Sequence, residues 1–107
     1  MFTNHFDSNT QTLNLVFAGH IDTIACQAMD APVNALITDQ LAQYGGQEGA
    51  LKVAFDMNEV TFIASSFIRL CVFYAKQLPK NNFRLVNCNP FVKKTFMIAG
   101  LEALVRD

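Results

Sequence analysis

Between Thr12 and Ala18 the chain alternates, with Leu13, Leu15 and Phe17 on one side of an extended backbone. Met1 to Asp7, ahead of it, is short and aromatic-bearing, and Ser8-Asn9-Thr10 reads as a turn, so the chain opens with a hairpin. Gly19-His20-Ile21-Asp22-Thr23 then breaks the alternation and supplies residues suited to capping, which predicts a handover from strand to helical chain. One short turn is allowed before Asp30, and Asp30 with Pro32 close behind it marks the predicted start of a long helix. Val33, Leu36, Ile37, Leu41 and Tyr44 recur at helical spacing, and Gly45-Gly46 ends the element.

Leu51, Val53 and Phe55 alternate with Lys52, Ala54 and Asp56, a second clear strand. Met57-Asn58-Glu59 reads as a turn into the apolar stretch Val60-Thr61-Phe62-Ile63. Ser65 or Ser66 is placed to cap the next helix, which runs through Phe67, Ile68, Leu70, Cys71, Val72, Tyr74 and Ala75 until Leu78-Pro79 stops it. Phe83, Leu85 and Asn87 indicate a further strand. Asn89-Pro90 is a cap followed by Pro at the first helical position, Val92, Phe96 and Ala99 share one face, and Gly100 supplies the stop. The tail Leu101 to Val105 either packs loosely or adds a strand. An opening hairpin followed by alternating strands and helices predicts one α/β domain over residues 1–107, with a central mixed sheet of four or five strands and three or four helices.

Composition sharpens this picture. Of 107 residues, 51% are apolar and ten are Phe, enough for a real core, while charged residues at 16% fall below the share of about 25% usual for soluble chains. Apolar patches on the surface, and hence association with another macromolecule, are expected. The formal charge of −1 and the lack of any dense Lys/Arg cluster argue against nucleic acid. No apolar run approaches the roughly 20 residues that span a bilayer, and MFTNHFD lacks a signal pattern, so a cytoplasmic location without membrane insertion is expected.

Cys26, Cys71 and Cys88 are widely spaced, with no CxxC pair, and read as reduced, mostly buried thiols. A nucleophilic Cys assembled with His5 or His20 is the competing reading; both His are taken as strand residues instead. Gly45 to Gly49, GGQEG, follows a helix and lacks the Lys-Ser/Thr of a phosphate loop, so it is punctuation. Asp56 and Glu59 could pair for a metal or acid–base work but are read as solvated loop carboxylates. No catalytic residue, cofactor or metal site is therefore assigned.

The segment from Asp56 to Leu70 stands apart, because two adjacent hydroxyls, Ser65 and Ser66, fall where strand and loop give way to a helix. A helix start offers free N–H groups and partial positive charge, so a hydroxyl caps there and a phosphoryl group added there is well tolerated. The plainer reading is that Ser65 is an N-cap and no more. In the helix that follows, Phe67, Leu70, Cys71, Tyr74 and Leu78 cluster on one side with Ile68, Val72 and Ala75 adjoining, an arc wide for one sheet contact. Phe67, Leu70 and Tyr74 are candidates to cover a protein partner, with Arg69 as a rim charge; burial of the whole arc by neighbouring helices is the alternative.

This segment resembles the signature of STAS domains, in which an Asp-ending strand and a hydrophobic loop lead to Asp-Ser/Thr-Ser-Gly-Leu at a helix start. Asp56, Val60, Phe62, Ile63, Ser65, Ser66 and Ile68 stand in the matching positions. Upstream, Gly19-His20-Ile21-Asp22 is similar to the family's Gly-x-Leu/Ile-Asp, and downstream Phe96-Met97-Ile98-Ala99-Gly100-Leu101 is similar to its closing helix with terminal Gly-Leu. The resemblance covers nearly the whole chain. It implies an anti-sigma factor antagonist, a regulatory binder of an anti-sigma factor serine kinase, with Ser65 as the phosphorylated hydroxyl, Ser66 as second candidate, and Asp22 near the modified site. Together with the apolar arc of the helix, this makes the expected partner surface Asp22, Ser65, Ser66, Phe67, Arg69, Leu70 and Tyr74. Two positions depart from the pattern: Ala64 replaces the family's Asp before the acceptor, and Phe67 replaces its Gly. They leave open a phosphorylation-independent STAS adaptor or subunit of a larger complex.

Overall fold

The computed structural model describes residues 2–44, 51–79 and 81–106. Strand β1 (Phe2–Asp7) pairs antiparallel with β2 (Thr12–Ile21), completing the expected hairpin. Helix α1 (Thr23–Tyr44) then leads to β3 (Lys52–Ile63), which lies parallel to β2. Helix α2 (Ser65–Lys76) leads to β4 (Phe83–Val86), parallel to β3, and α3 (Pro90–Ile98) closes the sequence of main elements. The sheet order is β1-β2-β3-β4, a four-stranded mixed sheet. A single-turn helix at Glu102–Leu104 follows, after which Val105 bridges Leu85 and the Arg106 N–H donates to the Leu85 carbonyl at 2.8 Å. The tail thus covers the outer edge of β4 instead of packing loosely.

Two element boundaries differ from the sequence reading. Helix α1 begins at Thr23, not Asp30, because Asp22 caps it: the Ala25 N–H donates to Asp22 Oδ1 at 2.8 Å. Cys26, Met29, Val33 and Ile37 form one buried stripe along it, and the helix runs through Pro32 because packing continues on both sides of that residue. Asp30, expected as the cap, accepts a 2.7 Å hydrogen bond from the Tyr74 hydroxyl. The expected closing Gly45-Gly46 and the rest of GGQEG lie outside the described residues. Likewise Met57-Asn58-Glu59 does not turn the chain but forms an irregularity inside one long β3: Val16 pairs with Asp56 and Ala18 with Glu59, so β3 spends one extra residue there. Met57 points into the core while Asn58 and Glu59 are exposed.

Helix α3 starts and stops as its sequence predicts. The Val92 N–H donates to Asn89 Oδ1 at 3.0 Å with Pro90 behind it, and Gly100 takes φ +78°, letting the Leu101 N–H reach back to the Phe96 carbonyl at 2.9 Å.

One contiguous apolar cluster gathers inward residues from β2, β3, β4 and all three helices. Its centre is aromatic. The Phe55 ring lies 4.8 Å from Phe17, 4.9 Å from Phe83, 5.9 Å from Tyr74 and 6.2 Å from Phe67, mostly tilted or edge-on, the arrangement that ring quadrupoles favour. Phe67 and Tyr74 were expected on the docking face, yet both are 0% exposed. The reason is helical phase: the side of α2 carrying Phe67, Cys71 and Tyr74 faces the sheet, and the Tyr74 hydroxyl finds its polar partner on α1. Burial first, and the bond to Asp30 second, hold the Tyr74 phenol well above its ordinary pKa. Burial likewise pushes the Cys71 thiol up.

Two expectations follow. Phe67→Ala should lower unfolding free energy by about 3–5 kcal/mol in denaturant titration, whereas Phe73→Ala, at an exposed ring, should stay within about 0.5 kcal/mol. Tyr74→Phe should cost about 1 kcal/mol at neutral pH. Because the folded-state pKa lies above the unfolded one, wild-type stability from this group holds below about pH 10 and is lost above it; the gap to Tyr74→Phe should therefore narrow as pH rises past that value.

Candidate partner-docking site

Strands β2 and β3 end side by side: Ile21 pairs with Ile63, both buried, and the Ala64 N–H donates to the Ile21 carbonyl at 2.8 Å. Asp22 and Ser65 are the next residues on either chain segment, so the pairing delivers the starts of α1 and α2 to one place. Gly19 at φ +82° helps bring this about, since the register of β2 shifts between Gly19 and His20 and the left-handed backbone there suits glycine.

Asp22 is exposed, and its carboxylate is engaged through Oδ1 with the Ala25 N–H. The cap position of α2 is held by Ala64, at φ −84° and ψ 160°, with no side-chain cap bond. Ser65, expected to be that cap, sits one residue inside the helix with its side chain exposed. The first turn of α2 contains no acidic residue. Ser66 is half-buried, and its Oγ is enclosed without a hydrogen-bond partner among the described residues.

A groove of about 470 Å³ runs between the two helix starts, lined by Thr23, Cys26, Gln27 and Asp30 of α1 and by Ser66, Arg69 and Leu70 of α2. Of the partner surface read from sequence, Ser66, Arg69 and Leu70 therefore meet in the groove, and Asp22 and Ser65 flank it in the chain. Phe67 and Tyr74 are not part of that surface; they form its foundation. Three α1 residues escaped the sequence reading: Thr23, Gln27 and Ile24, the last 76% exposed beside Asp22. The spacing of Cys26, Met29, Val33 and Ile37 carried the signal, but Asp30 and Pro32 imitate a helix start and drew the boundary past it.

Other candidate groups are accounted for separately. His5 and His20 both lie on strands, His20 with its ring edge-on to Phe62 at 5.8 Å. Cys26 and Cys71 are buried, Cys88 half-buried, and none of the three is in a disulfide. Asp56 and Glu59 lie on β3, not in a loop, and the Asp56 carboxylate accepts from the Asn58 N–H and the Asn87 side-chain amide, each at 3.0 Å.

The family model for the STAS domain matches residues 13–106. This chain belongs to the STAS domain family. The STAS fold is equally plain from solved structures. The anti-sigma factor antagonist SpoIIAA in its unphosphorylated form matches with a TM-score of 0.73 at 21% identity, covering 100% of this chain and 87% of that one. The Bacillus cell fate determinant SpoIIAA in its phosphorylated form matches with 0.66 at 20% identity, covering 100% and 90%. An anti-sigma factor antagonist from Mycobacterium paratuberculosis matches with 0.72 at 17% identity, covering 95% and 80%. No curated protein matches in sequence. Among the described residues, no helix is long and apolar enough to cross a membrane.

The vacant cap position gives a direct stability test. Ala64 already has the extended backbone of an N-cap, so Ala64→Asp should raise unfolding free energy by about 1 kcal/mol, and Asp22→Ala should lower it by a similar amount; both are read by denaturant titration.

Proposed function

We propose that this STAS domain is a regulatory protein-binding module of the anti-sigma factor antagonist type, that its partner is an anti-sigma factor serine kinase, and that phosphorylation of Ser65 switches the contact. One observation carries the reading: the Ser65 side chain stands exposed on the first residue of α2, beside exposed Asp22, at the position where the family signature places its acceptor hydroxyl. That a STAS relative has been solved in both unphosphorylated and phosphorylated forms supports the same assignment.

The docking face comprises Asp22, Ser65, Ser66, Arg69 and Leu70, extended by Thr23, Ile24 and Gln27 of α1. It combines an apolar contact at Ile24 and Leu70 with charges of both signs, the mixture typical of a regulated interface. In the transfer step the Ser65 Oγ attacks the γ-phosphorus of ATP held by the kinase, a new P–O bond forms, the bond to ADP breaks, and the hydroxyl proton passes to a base on the kinase. The domain itself contributes an accessible acceptor and no catalytic group. The product carries about −1.5 to −2 charge at the rim of the contact, next to Asp22, and like charge at a desolvating surface drives release. Such a circuit regulates transcription and operates in the cytoplasm.

Ala64 favours a second reading. It supplies no carboxylate before the acceptor, so a constitutive STAS adaptor or complex subunit would use the same face without modification.

Incubation of the purified chain with ATP, Mg²⁺ and the anti-sigma serine kinase of the same genome decides between them. Mass spectrometry should find one phosphate on Ser65, absent in Ser65→Ala, and calorimetric titration with the kinase should show binding weakened roughly tenfold or more by Ser65→Asp. A kinase that phosphorylates another antagonist but leaves both Ser65 and Ser66 unmodified here would establish the adaptor reading instead.

A further inference from the structure

We propose that Arg69 is the built-in partner of a phosphate on Ser65, so that modification withdraws the groove's positive charge as well as adding a negative one. This deepens the proposed switch and rests on Ser65 being its acceptor.

Ser65 and Arg69 are the first and fifth residues of α2, one turn apart on the same helical face, where Cβ atoms are about 5–6 Å from each other. Helical side chains lean toward the N-terminus, so the long Arg69 side chain, which lines the groove, is able to reach the turn that carries Ser65. Both residues are exposed, and the backbone need not move for them to meet. Arg69 makes no hydrogen bond or ion pair among the described residues, so its guanidinium is not committed elsewhere.

The distribution of charge leaves little competition. No Lys or Arg occurs in the first 51 residues, which removes β1, β2 and all of α1 as sources of a cation. On β3 the one basic residue, Lys52, lies at the end opposite the site. The other basic residue of α2 is Lys76, eleven residues beyond Ser65 and about 16 Å along the helix axis. The remaining basic residues are Lys80, which follows α2 in the sequence, Arg84 on β4, Lys93 and Lys94 of α3, and Arg106, whose guanidinium donates to Asn81 Oδ1 at 3.1 Å. The local acidic groups are Asp22, whose Oδ1 caps α1, and Asp30 in the groove, whose Oδ1 accepts from the Tyr74 hydroxyl.

A phosphate on Ser65 would meet two kinds of donor at once. The first turn of α2 has no side-chain cap because Ala64 ends in a methyl group, so apart from the Phe67 N–H, which donates to the Ala64 carbonyl at 3.0 Å, its N–H groups are open to the added oxygens. The guanidinium fork closes on the same group bidentately, the geometry in which arginine surpasses lysine. Before modification, Arg69 offers its charge to whatever enters the groove beside Ser66 and Leu70. After modification it is turned back onto α2. An aspartate at 65, shorter and singly charged, reproduces this only in part.

The test needs no kinase, so its failure is distinct from failure of the proposed circuit. Chain carrying genetically encoded phosphoserine at 65 is titrated by ³¹P NMR in the wild-type, Arg69→Gln, Arg69→Lys and Lys94→Gln backgrounds, with amide spectra confirming that each is folded. The second phosphate pKa, near 6 for an unpaired group, should be at least about 0.3 unit lower in wild type than in Arg69→Gln. Arg69→Lys should fall between them, and Lys94→Gln should match wild type. Equal pKa values in wild type and Arg69→Gln, or a rise on Lys94→Gln as large as that on Arg69→Gln, would overturn the assignment.

Discussion

The parallel pairing of β2 with β3 is the constraint on which the site depends. It fixes Ile21 against Ile63 and extends by one further bond, from the Ala64 N–H to the Ile21 carbonyl, before both strands hand over to helices. Two helix starts separated by more than forty residues are thereby held within reach of one another, with a groove between them. Helix starts carry unpaired N–H groups and partial positive charge, so juxtaposing two of them requires compensation. Asp22 supplies it for α1, and α2 is left without a side-chain cap.

The aromatic cluster underneath makes that arrangement rigid. Phe17 from β2, Phe55 from β3 and Phe67 from α2 are mutually packed, so the ring two residues beyond Ser65 anchors the first turn of α2 directly to both strands that end at the site. Tyr74 ties the far half of α2 to α1 through Asp30. An exposed hydroxyl on an anchored turn would pay little ordering entropy in the proposed docking, because its backbone is already fixed. The position where the family pattern has Gly is thus filled here by a side chain whose contribution is structural and inward.

Much of this was legible in the sequence because it rests on local rules. The hairpin, the strand at Leu51 to Asp56, the Asn89-Pro90 start and the Gly100 stop each follow from alternation or cap chemistry, and each stands where the pattern puts it. The errors occurred where two local signals conflicted. Asp30 followed by Pro32 satisfies the same start rule as Asp22, and only burial of Cys26 and Met29 against the sheet decides for the earlier one. Met57-Asn58-Glu59 looks like a turn because its polar residues are real; the tertiary pairing with Val16 and Ala18 absorbs them as an irregularity in a continuous strand. The buried fate of Phe67 and Tyr74 was less accessible still. A wide apolar arc on a helix does not say which part faces the sheet, and that phase is set by the long-range contacts with Phe55 and Asp30.

The departure at Ala64 takes on meaning from the same geometry. A carboxylate at an N-cap accepts from the first-turn N–H groups and places negative charge immediately before the next residue. With a methyl group there, the Phe67 N–H donates to the Ala64 carbonyl instead and no negative charge stands before Ser65, so the ground next to it is electrically more positive, a balance to which Arg69 adds from one turn further on. A surface so arranged in its unmodified form holds an anion better than one that already carries its own. Under the proposed switch, loss of the family carboxylate would weaken one recognition feature for an approaching kinase while favouring the phosphorylated product once formed, and the two effects would act on different steps: the first on the rate of entry into the modified state, the second on its persistence.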